Sequence, residues 1–215
     1  VNKLPLNEET LGGAKSLKLI CVTATGYDNI DLEYCKSKGI GVCNVRGYSS
    51  ESVAQVTMAM ALSLVNHIKE YNHYVTDGSY TKSGRENSVS PVFHELSTLT
   101  WGIVGLGAIG KRVAQMAKSL GFNVIAYNRT VDALYNCVDL DMLCEKADVI
   151  SVHLPLNDGT RTLMSREKIA KMKKSAIVIN VARGAVFDEA AELLKGCGYK
   201  EKYVLTDYGF TVVSL

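Results

Sequence analysis

A strong excess of charge of either sign is missing from this sequence of 215 residues, in which 24 Lys and Arg and 22 Asp and Glu leave a net charge of +2. A charge this close to neutrality gives no reason to expect nucleic acid or an anionic membrane surface as a partner. Also missing are an apolar run of the roughly 18 residues that a membrane span needs and the N-terminal pattern of a signal peptide. We therefore expect a cytoplasmic protein that binds neither nucleic acid nor membrane.

Proline is scarce, with 3 residues, and there are 6 cysteines. The cysteines form no CxxC pair and no spacing typical of metal ligands, so we expect reduced thiols, mostly in or near the core, and no metal site. What is abundant is apolar material: 47% of the residues are hydrophobic, which is enough for a sizeable core in one or two domains.

The first part of the chain has the pattern of a strand, a helix and a second strand. Residues 17–25 and 39–45 are short apolar runs rich in β-forming residues and predict buried strands, while residues 31–38 between them predict a helix. This order favours a parallel sheet. Residues 49–75 then predict one long helix that is buried or packs on another subunit, because its apolar residues occupy more than one face. The polar residues 77–91 predict a connector.

From residue 100 onward the sequence alternates strictly between strand and helix patterns, which predicts a doubly wound parallel sheet of the Rossmann type. The predicted strands are 100–107, 123–128, 148–156, 176–182 and 203–208, and the predicted helices are 108–121, 140–147, 165–174 and 188–196.

A glycine pattern stands between the first strand and the first helix of this region. Gly105, Gly107 and Gly110 form GLGAIG. Such glycines permit a tight turn, let the backbone approach a pyrophosphate and let helix and strand pack closely. The amides of Ala108 and Ile109 then face the phosphates at the positive end of the helix. The sequence therefore favours a dinucleotide site over a glycine-rich turn without a ligand.

The end of the second strand bears on which dinucleotide binds. An acid there would select NAD, but the sequence has Asn128, Arg129 and Thr130. No carboxylate stands at these positions to repel a 2′-phosphate, and Arg129 could pair with that phosphate, which favours NADP. A neutral residue at this place also tolerates NAD, and Arg129 could be a plain surface residue. Farther on, Arg183 follows a strand and could hold a carboxylate in bidentate fashion or form a structural ion pair.

Five stretches of the sequence occur in an order that resembles a known family. They are LKLICVTATGYDNID, GYSSESVAQVTMAMALSL, ELSTLTWGIVGLGAIGKRVAQMAKSLGFNVIAYNR, ADVISVHLPLNDGTRTLM and KMKKSAIVINVARGAVFDE. Together they resemble the D-isomer-specific 2-hydroxyacid dehydrogenases, in particular hydroxypyruvate reductase or glycerate dehydrogenase-like members, from about Leu4 to Glu189. The resemblance implies NAD(P)-dependent reduction of 2-keto acids such as hydroxypyruvate or glyoxylate, in a homodimer of two-domain subunits.

The resemblance also implies how the chain divides. Residues 1–47 resemble part of a flavodoxin-like α/β substrate domain, and residues 48–215 resemble the NAD(P)-binding domain. The segment 49–75 fits the family's dimer-forming helix, the alternative being a core helix of a single chain.

Site residues follow from the resemblance position by position. Arg183 matches the catalytic arginine, which binds the substrate carboxylate and polarises the keto group. The substrate-binding matches are Thr25, Gly26 and Tyr48. The cofactor-binding matches are Gly105, Gly107, Ala108, Ile109, Gly110, Asn128, Arg129, His153, Leu154, Pro155, Thr160, Val181, Ala182 and Asp207.

The sequence also departs from the family. Val212 stands where the family has a glutamate that raises the pKa of its catalytic histidine, and that histidine has no match in the sequence given. Gln55 replaces a glutamate that many members have. We expect a chain truncated at both ends with impaired turnover, and the alternatives are an NAD(P)-binding sensor or corepressor-like protein and an inactive truncated paralogue. We assign no catalytic acid among the four histidines, His67, His73, His94 and His153.

Overall fold

The chain folds as two compact units, Val1–Glu51 and Ser52–Leu215. The computed structural model describes residues 4–188, 200–205 and 210–214. The sequence placed the division between residues 47 and 48, slightly before the start of the second unit.

The first unit contains the predicted strand–helix–strand order. Strands β1, Leu19–Val22, and β2, Gly41–Asn44, pair in parallel, with Leu19 opposite Gly41. A short helix α1, Glu8–Leu11, precedes them, and α2, Leu32–Ser37, connects them. The side chain of Asp31 accepts a hydrogen bond from the Tyr34 N–H and so caps α2. The core of this unit consists of Leu6, Ile20, Val22, Ala24, Ile30, Cys35 and Ile40.

The prediction of one long helix over residues 49–75 is wrong. The segment forms two helices, α3, Ser50–Val65, and α4, Ile68–Thr76. They are separated at His67, whose φ of 50° lies in the left-handed region. Histidine and asparagine adopt this conformation more readily than most residues, and Asn66 and His67 stand together at the break. Because apolar residues continue on both sides of the break, the hydrophobic pattern did not reveal it. The predicted connector contains a further short helix, α5, Ser79–Ser83.

The second unit contains a six-stranded sheet with the order β4-β3-β5-β6-β8-β7. Its first four strands in the chain pair in parallel, which confirms the prediction of a doubly wound α/β fold. These strands are β3, Thr100–Val104, β4, Asn123–Tyr127, β5, Val149–Val152, and β6, Ile177–Asn180. The connecting helices are α6, Ala108–Ser119, α7, Leu140–Lys146, and α8, Arg166–Ala170, and 3₁₀ turns cover Leu96–Thr98 and Gly184–Val186.

The last two strands differ from the prediction of a single final strand at 203–208. Strand β7 is Lys200–Leu205 and is followed by a strand that the sequence did not predict, β8, Phe210–Ser214. They pair antiparallel with each other, and β8 also pairs antiparallel with β6. A connection as short as 206–209 permits only antiparallel pairing, because a parallel pair needs a crossover of a dozen or more residues. Most of the predicted helix 188–196 lies outside the described residues.

The four parallel strands of the second unit have buried residues on both faces of the sheet. Residues of α3 and α6 pack against one face around Trp101, Ile103 and Ile179, all inaccessible to solvent. Residues of α7 and α8 pack against the other face around Ile150 and Val152. Continuous apolar strands are typical of a parallel sheet covered on both sides. Among the described helices, none combines the length and the apolar character that crossing a bilayer requires.

Candidate functional site

The carboxyl ends of three neighbouring strands meet at the glycine turn. The Gly105 N–H donates to Tyr127 O at the end of β4 over 2.8 Å, and the His153 N–H donates to Val104 O over the same distance. The strand order reverses between β3 and β5, and ligands of open α/β sheets bind in the crevice at such a point. The turn therefore lies where the fold offers a ligand site.

Gly105 is required at this turn for two reasons. Its φ of 100° lies in the left-handed region, which other residues adopt only with strain. A Cβ placed on it would also lie 2.8 Å from Leu154 Cδ2 and 3.1 Å from His153 O. No side chain can replace this hydrogen without moving the end of β5.

Gly107 and Gly110 have different surroundings. A Cβ on Gly110 would lie 1.9 Å from Gly105 O, so this glycine allows α6 to pack on the turn. A Cβ on Gly107 would meet no heavy atom of the described residues within 4 Å. Gly107 is the N-cap of α6, and the first N–H groups of a helix lack partners within it. The N–H groups at Ala108 and Ile109 belong to this first turn, at the positive end of the helix, and the space beside Gly107 is open, an arrangement suited to a diphosphate.

Asn128 holds the end of β4 to the glycine turn. Its Oδ1 accepts a hydrogen bond from the Leu106 N–H over 3.1 Å, and its Nδ2 donates to Thr130 O over 2.8 Å. The side-chain amide thus links the glycine turn to the loop after β4, and both elements flank the predicted ribose site. Arg129, the next residue, is exposed.

His153, a half-buried residue, ends a hydrogen-bonded chain that the sequence did not reveal. Trp101 Nε1 donates to Ser151 Oγ over 2.8 Å, and Ser151 Oγ lies 2.9 Å from His153 Nε2. The other ring nitrogen, Nδ1, is shielded from solvent and has no partner among the described residues. Because burial disfavours the charged ring, desolvation lowers the pKa of His153 to about 3. The imidazole is therefore neutral at physiological pH.

This low pKa makes stability depend on pH. In the unfolded chain the ring binds its proton near pH 6.5, whereas the folded chain binds it only near the lowered pKa. We expect the free energy of unfolding to fall as the pH drops from about 6.5 toward 3, by up to about 1.4 kcal/mol per pH unit from this residue. Urea unfolding at several pH values measures the slope.

His153→Gln provides the comparison, since a glutamine does not titrate. The variant should show a shallower loss of stability in this pH range than the wild type. Both proteins should show the same pH dependence above about pH 7, where His153 is neutral in the folded and unfolded states. Equal slopes below pH 6.5 would contradict a neutral His153 in the folded chain.

The residues after His153 form a compact turn. Thr160 Oγ1 donates to Pro155 O over 2.6 Å and accepts from the Asn157 N–H over 2.9 Å. The hydroxyl of Thr160, predicted to bind cofactor, thus already maintains this turn. Leu154 is half-buried against Gly105, and Pro155 is exposed.

Arg183 follows β6, the strand next to β5. Its backbone is held by Asn180, a buried residue that the sequence interpretation missed: Asn180 Nδ2 donates to Arg183 O and Oδ1 accepts from the Ala182 N–H, both over 3.0 Å. The exposed guanidinium of Arg183 donates to Ala182 O through Nη1. Val181 is half-buried and Ala182 is buried. The available signal was an asparagine at the end of an apolar strand, three residues before Arg183.

The predicted substrate residues lie in the first unit. Thr25 follows β1, and its Oγ1 donates to Val45 O over 3.1 Å, while Asn44 Nδ2 donates to Thr25 O over 2.7 Å. These bonds join the ends of β1 and β2 just before Gly26, which is half-buried. Tyr48 is exposed. The structure thus places Thr25 and Gly26, which are consecutive, at the carboxyl end of β1.

Other predicted positions contribute less to the site. Asp207 lies outside the described residues. Gln55 is exposed on α3, His73 is exposed on α4, and His94 is exposed in the segment before β3. In the described parts of the chain, no three His, Cys, Asp or Glu side chains are arranged to hold a metal ion.

Comparison with known proteins gives one consistent result. The family model described as D-isomer specific 2-hydroxyacid dehydrogenase, NAD binding domain, matches residues 58–196. A glycerate dehydrogenase of Methylorubrum extorquens is 37% identical over 193 residues, which cover 90% of this chain and 61% of that protein. A hydroxypyruvate reductase of Thermotoga maritima is 38% identical over 186 residues, which cover 85% of this chain and 59% of that protein. The chain therefore spans less than two thirds of the length of these relatives.

Solved structures agree with the fold. A D-lactate dehydrogenase from Aquifex aeolicus, complexed with NAD and lactic acid, has a TM-score of 0.79 and 37% identity, covering 90% of this chain and 58% of that one. An acyclic imino acid reductase in complex with NADPH and D-Arg has a TM-score of 0.80 and 28% identity, covering 92% of this chain and 64% of that one. Both similar structures contain a nicotinamide dinucleotide.

Proposed function

The chain belongs to the D-isomer-specific 2-hydroxyacid dehydrogenase family, and from this premise we propose that it is an NAD(P)-dependent oxidoreductase. Its substrates would be 2-keto acids such as hydroxypyruvate or glyoxylate, reduced to D-2-hydroxy acids. The observation that carries the proposal is the glycine turn, where Gly107 opens onto free space at the start of α6 and three strand ends meet. A bound reduced nicotinamide would supply the hydride.

The second unit would bind the dinucleotide. The diphosphate fits the free N–H groups at Ala108 and Ile109, because Gly107 leaves room for its close approach. The adenosine ribose fits beside Asn128 and Arg129. Leu154, Pro155, Val181 and Ala182 would line the rest of the cofactor, together with His153 and Thr160, and Asp207 would contact the nicotinamide carboxamide.

The substrate carboxylate would be bound by charge and by backbone amides. Arg183 is exposed after β6 and its backbone is fixed by Asn180, which suits a guanidinium that pairs with a carboxylate and polarises a keto oxygen. Thr25, Gly26 and Tyr48 would supply the remaining substrate contacts. Proton transfer to the keto oxygen should be inefficient, because Val212 stands at the position of the family's glutamate. General acid–base catalysis contributes a factor of about 10²–10⁴ to the rate. We therefore expect slow turnover.

The direct test is an assay of the purified chain with NADPH or NADH and hydroxypyruvate, following the loss of nicotinamide absorbance. We expect consumption that exceeds the rate without protein and that disappears in a Gly107→Val variant. Binding of the cofactor without any consumption would contradict the oxidoreductase proposal and favour a dinucleotide-binding sensor or an inactive paralogue.

Arg129 is expected to favour NADPH. Replacing it with alanine should weaken NADPH binding by about 10-fold or more, because a charge-assisted hydrogen bond contributes about 1.5–3 kcal/mol. NADH affinity should change little, since NADH has no 2′-phosphate. Calorimetric titration with both cofactors measures the two affinities, and Arg85→Ala, an exposed arginine in the connector, is the matched control. Equal losses for both cofactors would contradict this role.

The protein is also proposed to form a homodimer through the segment 49–75. Helix α4, whose residues are all described, has no buried side chain. Its Ile68 and Val75 are 55% and 58% exposed. Exposed apolar residues concentrated in one segment are typical of a surface that another chain covers. The first half of the segment differs from α4, because several side chains of α3 are buried in the core.

Sedimentation or light scattering of variants tests this interface. A doubly substituted Ile68→Glu and Val75→Glu chain should be monomeric at concentrations where the wild type is dimeric, because burying two unpaired carboxylates costs several kcal/mol. Leu134→Glu, at an exposed leucine after β4, should remain dimeric. A monomeric wild type, or a dimer that tolerates both glutamates, would contradict the proposal.

A cytoplasmic location is the last part of the proposal. Among the described residues, Cys35, Cys43, Cys137 and Cys144 form no disulfide, and Cys43 is exposed. Exposed free thiols are typical of a reducing compartment.

A further inference from the structure

We propose that Lys111 and Asp132 set the choice between NADPH and NADH. Lys111 is a second cation for the 2′-phosphate of the cofactor, and Asp132 competes with that phosphate for it. This inference rests on the proposed dinucleotide site and extends it to a pair of residues that belong to no motif.

The two side chains connect α6 with the loop after β4, the two elements that flank the predicted ribose site. Lys111 lies in the first turn of α6, where its N–H donates to Gly107 O over 2.9 Å. Asp132 lies in the loop that follows β4, and its Oδ2 is 2.8 Å from Lys111 Nζ. Asn128 joins the same loop to the same glycine turn. The ion pair is therefore built across the place where a Rossmann fold binds the adenosine ribose.

Asp132 is the fixed member of the pair. Its Oδ1 accepts a hydrogen bond from the Leu134 N–H over 3.1 Å, and its backbone O accepts one from the Tyr135 N–H over 3.0 Å. The hydrogen bonds from Lys111 and from the Leu134 N–H hold the pKa of the Asp132 carboxyl below its usual value, so it carries a negative charge at neutral pH. A charge anchored in this way cannot move away from an incoming anion.

Lys111 is the mobile member. Its side chain is about half exposed, with a relative accessibility of 46%, on a flexible stem with three donors. It can therefore turn from Asp132 to another anion that binds between α6 and the loop after β4.

The ligand group that distinguishes the two cofactors is the 2′-phosphate, which carries a charge of about −1.5 to −2. Arg129 is exposed at the end of β4, where this phosphate would lie, and one arginine leaves part of that charge unpaired. Lys111 can supply the second positive charge only by leaving Asp132, whose carboxylate also repels the phosphate. Asp132 thus weakens NADPH binding, whereas NADH, which lacks the phosphate, leaves the ion pair intact.

Two variants separate the partners. Asp132→Asn keeps an oxygen for the Leu134 N–H and removes the charge, and Lys111→Met keeps the length of the stem and removes the cation. In calorimetric titrations at low salt, we expect Asp132→Asn to bind NADPH about 5-fold more tightly and Lys111→Met to bind it about 10-fold more weakly, as is typical of single charge-assisted contacts. NADH affinity should change by less than about 2-fold in both variants. Lys118→Met, in the last turn of the same helix, should match the wild type.

The outcomes distinguish this inference from the proposed function. Equal shifts for NADPH and NADH, or weaker NADPH binding by Asp132→Asn, would overturn it and leave the pair a structural link between α6 and the loop. A wild-type chain that binds neither cofactor would overturn the proposed function, and this inference with it.

Discussion

Replacing Gly107 with valine is expected to abolish dinucleotide binding while the chain stays folded. No heavy atom of the described residues lies within 4 Å of a Cβ at this position, and the backbone φ of −72° is one that any residue adopts. A side chain there would occupy the space in front of the first N–H groups of α6. Losing two charge-assisted hydrogen bonds of about 1.5–3 kcal/mol each should weaken binding by at least about 100-fold.

Gly13→Val is the matched control for this substitution. A Cβ at Gly13 also meets no neighbour among the described residues, but Gly13 belongs to the first unit, whereas the glycine turn belongs to the second. Calorimetric titration with NADPH and urea unfolding should show that only Gly107→Val loses binding and that neither variant loses more than about 1 kcal/mol of stability. Binding by Gly107→Val within a few-fold of the wild type would place the diphosphate elsewhere.

Gly110→Ala is expected to destabilise the second unit itself. A Cβ there would lie 1.9 Å from Gly105 O, a contact with backbone that no change of side-chain rotamer relieves. Helix α6 must shift away from β3, so we expect a loss of about 3 kcal/mol or more, the upper end of the range for overpacking. In a domain of this size, that corresponds to a fall in Tm of about 10 °C.

Thermal unfolding of Gly110→Ala beside Gly107→Ala measures this difference directly. The two substitutions add the same methyl group three residues apart, yet only one of them has a backbone oxygen in its way. A Gly110→Ala protein as stable as Gly107→Ala would show that α6 does not pack on the turn as closely as described here.

The sequence was most informative where local pattern and fold agree. GLGAIG after an apolar strand predicted the turn at Gly105 and the start of α6, because a left-handed φ and a close helix–strand contact both require glycine. The four parallel strands were predicted from their short apolar runs and the helices between them. These features depend on residues that are adjacent in the chain.

What the sequence could not predict depends on contacts between distant residues or on competing local conformations. The break at His67 interrupts a continuous apolar pattern, so periodicity alone favoured one helix. The antiparallel pairing of β8 with β6 depends on which strand edge is available rather than on the composition of residues 210–214. Asn180 beside Arg183, and Ser151 between Trp101 and His153, are polar residues in apolar strands whose partners only the fold identifies.

The central claim is that the second unit binds a nicotinamide dinucleotide at the glycine turn, and a fluorescence titration tests it most directly. Trp101, the single tryptophan of the chain, is buried in β3 of the same sheet, so it can transfer its excitation to a bound reduced nicotinamide. We expect NADPH or NADH to quench its emission saturably, with half-saturation below about 1 mM, and Gly107→Val to show no such quenching. A wild-type chain that is folded by circular dichroism and shows no saturable change with either cofactor would contradict the claim.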